Sequence, residues 1–557
     1  MKQLRRSRHV TAFGHMGGVF LYHDLYGYML GMSTDVLELL EAFAEPADAA
    51  EVAARFAGRF GEQTPESFVD IFEQYRCLVD PAYDEVAGIW DHYPVKAPWT
   101  VWRREADESL TFFTAWAVGP RVHRLTADEA HLWQSFDGDT PLDKKLDDNY
   151  QPSMVEGLIT RLVHHDLQAL KLSVAPVSLY RGRPDLEPPY LKSTMPYPPL
   201  GSPHETPAPR RPDGTVSPAA YYQDQVVDAE AQFDHQETTL SHLLRRPHPA
   251  LGGRSYGQAL VDALVARGLP ATRPLRALEI GGGLGYLARA VCEALAARAI
   301  EVRYTIVELA PALAAAQRAQ CAGLPVDVIE ADALAVDLPD GGFDLILSNE
   351  MIGDLPAVEL THEQAGIGLG PTELAARLSR CGRGGELVAA LGLTIDDAPD
   401  PFFLTTGAIA LCERIAGWLA PGGLAMVSEF GDLGRWPRLS THLDHPELSI
   451  HFGLLREAAE RLGLDAEVVF VIDLIDLDRT LEGMATTRSY FRALQAMLAE
   501  AGVQLEKIGY TRQMFGALLA GRVDPTRIGE IRFDRIEDRL MGLVPHEFKA
   551  LVIRRRV

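Results

Sequence analysis

The run PLRALEIGGGLGYLARAVCEAL, residues 274–295, constrains this chain more than any other. Arg276–Ile280 reads as a mostly apolar strand, Gly281–Gly285 as a tight turn, and Tyr286–Leu295 as a helix with Leu287, Val291 and Leu295 on one face. Strand, glycine turn and helix in direct succession let a ligand approach bare backbone at a helix N-terminus, on the carboxyl edge of a parallel sheet. Glycine loops of this kind also serve dinucleotides. The spacing in this chain is E-x-G-x-G-x-G, with Glu279 just ahead of Gly281, Gly283 and Gly285. A carboxylate at that point would repel a pyrophosphate and suits a cationic, zwitterionic ligand.

Further acids fall at successive strand ends. Glu308 ends YTIVE, where it could accept two ribose hydroxyls, and Asp332 ends the pattern VDVIEAD, where it could read an adenine amino group. The strand FDLILSNE (343–350) carries Asn349 and Glu350 to the same edge. WLAPGGLAMVSEF (418–430) reads as a helix end, a Pro-Gly-Gly turn and a fifth strand, and EFKALVIRRRV as a closing strand with a solvated arginine tail. Strands alternating with helices, with the loaded residues at strand ends, predict an α/β class, doubly wound Rossmann-like sheet.

At 557 residues the chain exceeds one core. Its net charge of −24 argues against nucleic acid as the partner, because phosphate binding needs clustered Lys and Arg. No apolar run approaches the ~18 residues of a membrane span, and the basic start MKQLRRSRHV leads into no secretory apolar segment. A cytoplasmic protein without membrane attachment is expected. Cys77, Cys292, Cys321, Cys381 and Cys412 are scattered without a C-x-x-C pair, so no disulfide framework or metal site is expected.

The proline-rich stretch 174–218 reads as an extended linker. The part before it is repeated: GYMLGMSTDVLELLEAF (27–43) and VHRLTADEAHLWQSF (122–136) each end a strand, cap a helix with Ser33 or Thr126, and continue with apolar residues at helical spacing. PESFVDIFEQYRCLV and PSMVEGLITRLVHHDL supply a second helix to each, giving two small winged-helix-like α+β modules, 1–95 and 96–173. The run VFLYHDLYGYMLGMSTDVLELLEAFAEPADAAEVAARFAGRFGE resembles the PqqD-type peptide-binding fold, and the second copy is more divergent. That resemblance implies capture of the leader of a ribosomally made precursor peptide as an added strand.

Residues 219–557, with an insertion at 357–405, resemble the MidA-like methyltransferases, whose mitochondrial members are protein arginine methyltransferases and respiratory-complex assembly factors. YTIVELAPALAAAQ resembles that family's strand-end acid followed by S-P-x-L-x-x-x-Q, with Ala310 in place of the serine. SNEMIGDLPAVEL resembles N-E-x-x-D-A-L-P, and LSIHFGLLREAAERLGL resembles T-x-H-V-D-F. Two family aspartates are replaced, by Gly353 (with Asp354 beside it) and by Gly453. The likeness implies S-adenosyl-L-methionine as cofactor, bound by Glu279, the three glycines, Glu308 and Asp332. A nitrogen acceptor must lose a proton, so Glu350 is the first candidate base, Asp354 the second, Asn349 an orienting amide and His451 a further candidate. The glycine-rich insertion is expected to cover the acceptor pocket.

The two resemblances together imply a methyltransferase acting on a precursor peptide held by the front modules, with a homodimer open to it. Removing residues 1–172 is then expected to abolish peptide modification while sparing cofactor binding. Alternatives are an arginine methyltransferase acting on a folded partner and an assembly scaffold that binds the cofactor without turnover.

Overall fold

The computed structural model describes residues 2–15, 18–61, 63–116, 119–146, 150–181, 183, 186–192, 215–229, 239–270, 272–442, 445–484, 489–529, 531–535 and 548–557. Two compact units emerge. One comprises Met1–Glu205, Thr487–Leu505 and Gly516–Arg532; the other comprises Thr206–Thr486, Glu506–Phe515 and Phe533–Val557. The chain therefore returns to its first unit after the catalytic sheet has begun, which no composition shift in the sequence announces.

The second unit is built on an eight-stranded sheet whose main path is β1 (Leu275–Ile280), β2 (Val302–Glu308), β3 (Val326–Glu330), β4 (Phe343–Asn349), β5 (Leu419–Asp432), β6 (Leu464–Phe470) and β7 (Phe548–Arg555), with the short strand Ile450–His451 pairing parallel to the end of β5 off that path. Their order is β3-β2-β1-β4-β5-β7-β6. The first five are parallel, and β7 runs antiparallel to both β5 and β6. Both faces are buried. Leu278, Ile280, Ile346, Val427 and Leu551 enter one core, while Ala277, Leu345, Leu347, Met426 and Val552 enter the other. Period-two alternation with apolar residues on both sides explains why these strands read as nearly continuous apolar runs. Helices α1 (Leu240–Leu243), α2 (Tyr256–Ala266) and α3 (Tyr286–Ala296) pack on the second core, whereas α4 (Pro311–Gln320) follows β2. The first core takes α5 (Thr406–Trp418) and α6 (Phe452–Arg461).

Three expectations change. The insertion is not a loop over the site: Ala357–Leu360 and Phe402–Leu404 pair antiparallel around the helices His362–Ala365, Pro371–Leu378 and Gly382–Leu391. Its glycines allow close packing, since a methyl on Gly384 or Gly385 would strike the carbonyl of Thr406 or Leu378. Pro421–Gly423 lies inside β5 as an irregularity, where the register with β4 slips between Phe343 and Leu345. The terminal arginines are not all a solvated tail, because Arg555 donates to the carbonyls of Ala416 (3.1 Å) and Leu419 (2.6 Å).

In the first unit, Val10–His15, Gly18–His23 and Met29–Met32 form one antiparallel meander, and Thr100–Arg104, Leu110–Trp116 and Gly119–Leu125 form another. Each is followed by a capped helix. Ser33 accepts from Val36 N and starts Thr34–Glu41; Thr126 accepts from Glu129 N, whose side chain answers at Thr126 N, and starts Ala127–Gln134. The two copies share one core, in which Phe13, Tyr22 and Tyr28 meet Phe112, Leu158 and Ile159. The helix Ser489–Glu500 lies across the second meander, and Gly529 N donates to Trp102 O at 2.9 Å. The segment read as an extended linker begins with helical turns at Val177–Tyr180 and Pro189–Lys192. Tyr190 is buried in the shared core and its carbonyl accepts from the Lys171 ammonium at 2.6 Å. An aromatic residue in a proline-rich run finds a core as readily as any other. Residues 193–214 of that segment lie outside the described residues. Among the described residues no helix is long and apolar enough to cross a membrane.

Candidate active site

At the carboxyl ends of β1, β2, β4 and β5 lies a cavity of about 230 Å³. Strand order reverses between β1 and β4, the place where parallel sheets open a crevice. Gly281, Gly283 and Gly285 have φ of 70°, 51° and 82°, left-handed values that keep the turn tight ahead of α3. Gly281 and Gly283 line the cavity; Gly285 caps α3 and is not among the lining residues. A side chain on Gly281 would strike Met351, whereas the space above Gly283 is open.

Glu279 is buried at the end of β1 and accepts from the Tyr304 hydroxyl at 2.9 Å. Burial pushes its carboxyl up to about 7, the Tyr304 hydrogen bond opposes the rise, and the neighbouring charge of Glu308 adds to it. Glu308, also buried, accepts from Ala310 N (3.0 Å) and from Gln317 Nε2 (2.7 Å). The same Gln317 nitrogen donates to Gly283 O at 2.9 Å, so one amide on α4 ties the acid of β2 to the glycine turn. Burial raises the Glu308 carboxyl despite these donors. Asp332 lies two residues past β3, exposed at the rim, and accepts from Leu334 N at 2.8 Å.

On the other side of the cavity stand the residues at the end of β4. Asn349 Oδ1 accepts from Tyr256 (2.7 Å) and Ser428 (3.0 Å), and its amide donates to Ser241 Oγ at 3.0 Å. Glu350 follows with φ 53°, a left-handed value at a non-glycine residue. Its carboxylate accepts from Leu240 N (3.3 Å) and Ser241 N (3.4 Å) at the start of α1. Asp354 accepts from Tyr222 at 2.6 Å. All three line the cavity.

His451 does not. It is the N-cap of α6, its Nδ1 accepting from Leu454 N at 3.0 Å, with Trp436 edge-on at 5.2 Å. A ring that caps a helix from a half-buried position is held by that helix and not by the cavity. The two glycines in place of aspartates are steric requirements. A β-carbon on Gly353 would stand 2.7 Å from Leu448 O and 3.3 Å from a Glu429 oxygen, and one on Gly453 would strike Leu433 O.

Sequence reasoning gave Gln317 no role beyond its place in the quoted motif and passed over Glu429. Both had a signal: Gln317 falls on the same α4 face as Leu313, and Glu429 follows an apolar run in AMVSEF near the carboxyl end of β5. Tyr222, Ser241 and His242 reach the cavity from segments with no strand to announce them.

The family described as "Methyltransferase domain" matches residues 277–363, which run from β1 through β4 and into the insertion. No curated protein matches the chain. Among solved structures, it is similar to an uncharacterized protein from Burkholderia thailandensis at 18% identity, covering 61% of this chain and 88% of that one, with a TM-score of 0.35. A methyl transferase candidate from the same organism, bound to S-adenosyl-homocysteine, gives 19%, 61%, 88% and 0.33. Phosphoethanolamine N-methyltransferase 2 of Haemonchus contortus, in complex with S-adenosyl-L-methionine, gives 15%, 60%, 61% and 0.29. With a Rossmann-like mixed sheet, a glycine turn flanked by two buried acids, and the methyltransferase-domain match over that turn, the chain is an S-adenosylmethionine-dependent methyltransferase.

Proposed function

We propose that this enzyme methylates a ribosomally made precursor peptide held by its amino-terminal modules. The observation that carries the reading is one chain with a methyl-transfer cavity and, in a separate unit, two antiparallel meanders each backed by a capped helix. A meander that ends on an outer strand, as Met29–Met32 does, offers backbone donors and acceptors to an added peptide strand. The net charge of −24 suits a basic peptide. Co-expression with a peptide encoded beside the gene should add the mass of one methylene, and the same peptide without its leader should be modified far less. Equal modification of both would remove the capture step from the reading.

S-adenosylmethionine supplies an electrophilic methyl group on a sulfonium. The chain's residues fit it: Glu279 would hold the ammonium, Glu308 the ribose hydroxyls and Asp332 the adenine edge, with the open backbone at Gly283 allowing close approach. The Glu279 carboxyl, raised in the fold to about 7, contributes stability to the free protein that is present at low pH and lost as pH rises through that value. A cationic ligand needs the ionised form, so the dependence of its affinity has the opposite sign. Cofactor affinity, followed by calorimetry, should fall about tenfold per pH unit below about 7. Glu279→Gln should flatten that slope; a wild-type affinity independent of pH would show that Glu279 does not meet the ammonium.

A further inference from the structure

The strand-end acids of this cavity are not equivalent. Glu350 turns both carboxylate oxygens to the start of α1 and also receives Asn349 Nδ2 at 3.2 Å. It ties the end of β4 to α1, which makes it a positioning residue. Glu429, three residues before the end of β5, is only 1% exposed and lines the cavity. Its oxygens accept from Gly353 N (3.1 Å) and Phe430 N (2.9 Å).

The groups facing Glu429 are acids. Glu350 and Asp354 raise its carboxyl further after burial has raised it well above the ordinary range, and the two backbone donors only partly offset this. Lys549, its register partner on β7, directs its ammonium to Gly431 O and over the Phe470 ring. Among the described residues lining the cavity none is a lysine or arginine, and burial pulls the lining His242 down to about 3, so it stays neutral. Tyr222, Phe430 and Phe548 add aromatic walls. Glu279, Glu308 and Asp332 face the cofactor side, leaving an acid- and aromatic-lined remainder.

We propose that Glu429 receives the methyl acceptor, and that the acceptor arrives as a cation, an ammonium or guanidinium nitrogen. This rests on the methyl-transfer reading of the cavity and not on peptide capture. A buried carboxyl beside two other acids keeps its proton until a cation displaces it to solvent. The acceptor nitrogen then gives a proton to the Glu429 carboxylate. Its freed lone pair forms the nitrogen–carbon bond as the methyl carbon–sulfur bond breaks, with that electron pair returning to sulfur. Atoms and charge balance: the product nitrogen leaves as a methylated cation, Glu429 is returned to its protonated resting form, and the one proton released overall is the one displaced to solvent when the cation bound.

The test is calorimetric, on the full chain, with S-adenosylhomocysteine and three adenosyl ligands. These carry an alkylammonium, an alkylguanidinium or a hydroxyalkyl arm of equal length in place of the methyl. A cationic arm should bind roughly thirtyfold tighter than the hydroxyl arm, the scale of a well-placed buried ion pair. Binding should also release close to one proton, read from buffers of different ionisation enthalpy. Whichever cationic arm binds tighter names the acceptor type. Glu429→Gln should bring the cationic-to-hydroxyl ratio to near one and abolish the proton release, whereas Glu467→Gln, on β6 and outside the cavity lining, should keep both. Should Glu429→Gln not fold, the wild-type ratio and proton release still decide. Equal affinity for all three arms in the wild type overturns the proposal, and so does a preference that survives Glu429→Gln or disappears in Glu467→Gln. Failure to bind S-adenosylhomocysteine at all would count against the methyl-transfer reading instead.

Discussion

Glu308→Ala should reduce cofactor affinity by roughly 10²–10³-fold, because two charge-assisted hydrogen bonds to ribose hydroxyls together amount to about 3–4 kcal/mol. The side chain is buried and its carboxylate is already oriented by Ala310 N and Gln317 Nε2, so little ordering cost remains when a ligand arrives. Alanine would also leave the Gln317 amide with Gly283 O alone, loosening the glycine turn. Gln317→Ala should therefore weaken binding in the same direction and by less. Calorimetry with S-adenosylhomocysteine, beside a thermal melt to confirm the fold, measures both. Wild-type affinity in folded Glu308→Ala protein would falsify the assignment of this acid to the cofactor.

Deleting residues 1–172 should yield no soluble, cofactor-binding enzyme. On sequence alone the cut falls before an extended linker and looks harmless. In the fold, the helix Ser489–Glu500 lies across the strands Thr100–Arg104 and Leu110–Trp116, which the deletion removes. Phe491, Leu494, Met497, Leu498 and Leu505 are each less than 5% exposed. Uncovering five such side chains costs about 2 kcal/mol each, roughly 10 kcal/mol in all, which is as large as the net stability of a typical domain. Tyr190, buried in the shared core, would be stranded as well. Solubility on expression and S-adenosylhomocysteine binding by the fragment are the measurements. A soluble fragment that binds with wild-type affinity would mean that these C-terminal segments stand without their cover.

The side of the cavity at the glycine turn was legible because Glu279 and Glu308 close strands that can be recognised from local pattern. Glu279 and Glu308 end apolar runs, the glycines punctuate the turn, and the cavity brings these together at β1 and β2. Asp332 lies two residues beyond its strand, a boundary shift that alternation cannot resolve. The opposite side of the cavity was legible in part. Asn349, Glu350 and Asp354 do line the cavity, but whether a carboxylate faces solvent or a helix start depends on what packs opposite it. For Glu350 that is α1, 110 residues earlier in the chain. His451 misled for a related reason: a histidine ahead of an apolar helical run serves a cap as well as a cavity.

The sequence by itself determined six strands of the sheet, the glycine turn, the strand-end acids Glu279 and Glu308, and the duplicated pattern of a strand followed by a capped helix. All of these are written in the spacing of neighbouring residues, within a strand, a turn or one helix face. Tertiary structure alone decided that the C-terminal segments belong to the first unit and that the insertion folds into helices away from the cavity. It also decided that Glu429 is buried among other acids while Glu350 is held at a helix start. Those outcomes depend on contacts between residues tens to hundreds of positions apart. Burial and charge there are set by what the whole fold places next to a side chain, and no local pattern carries that information.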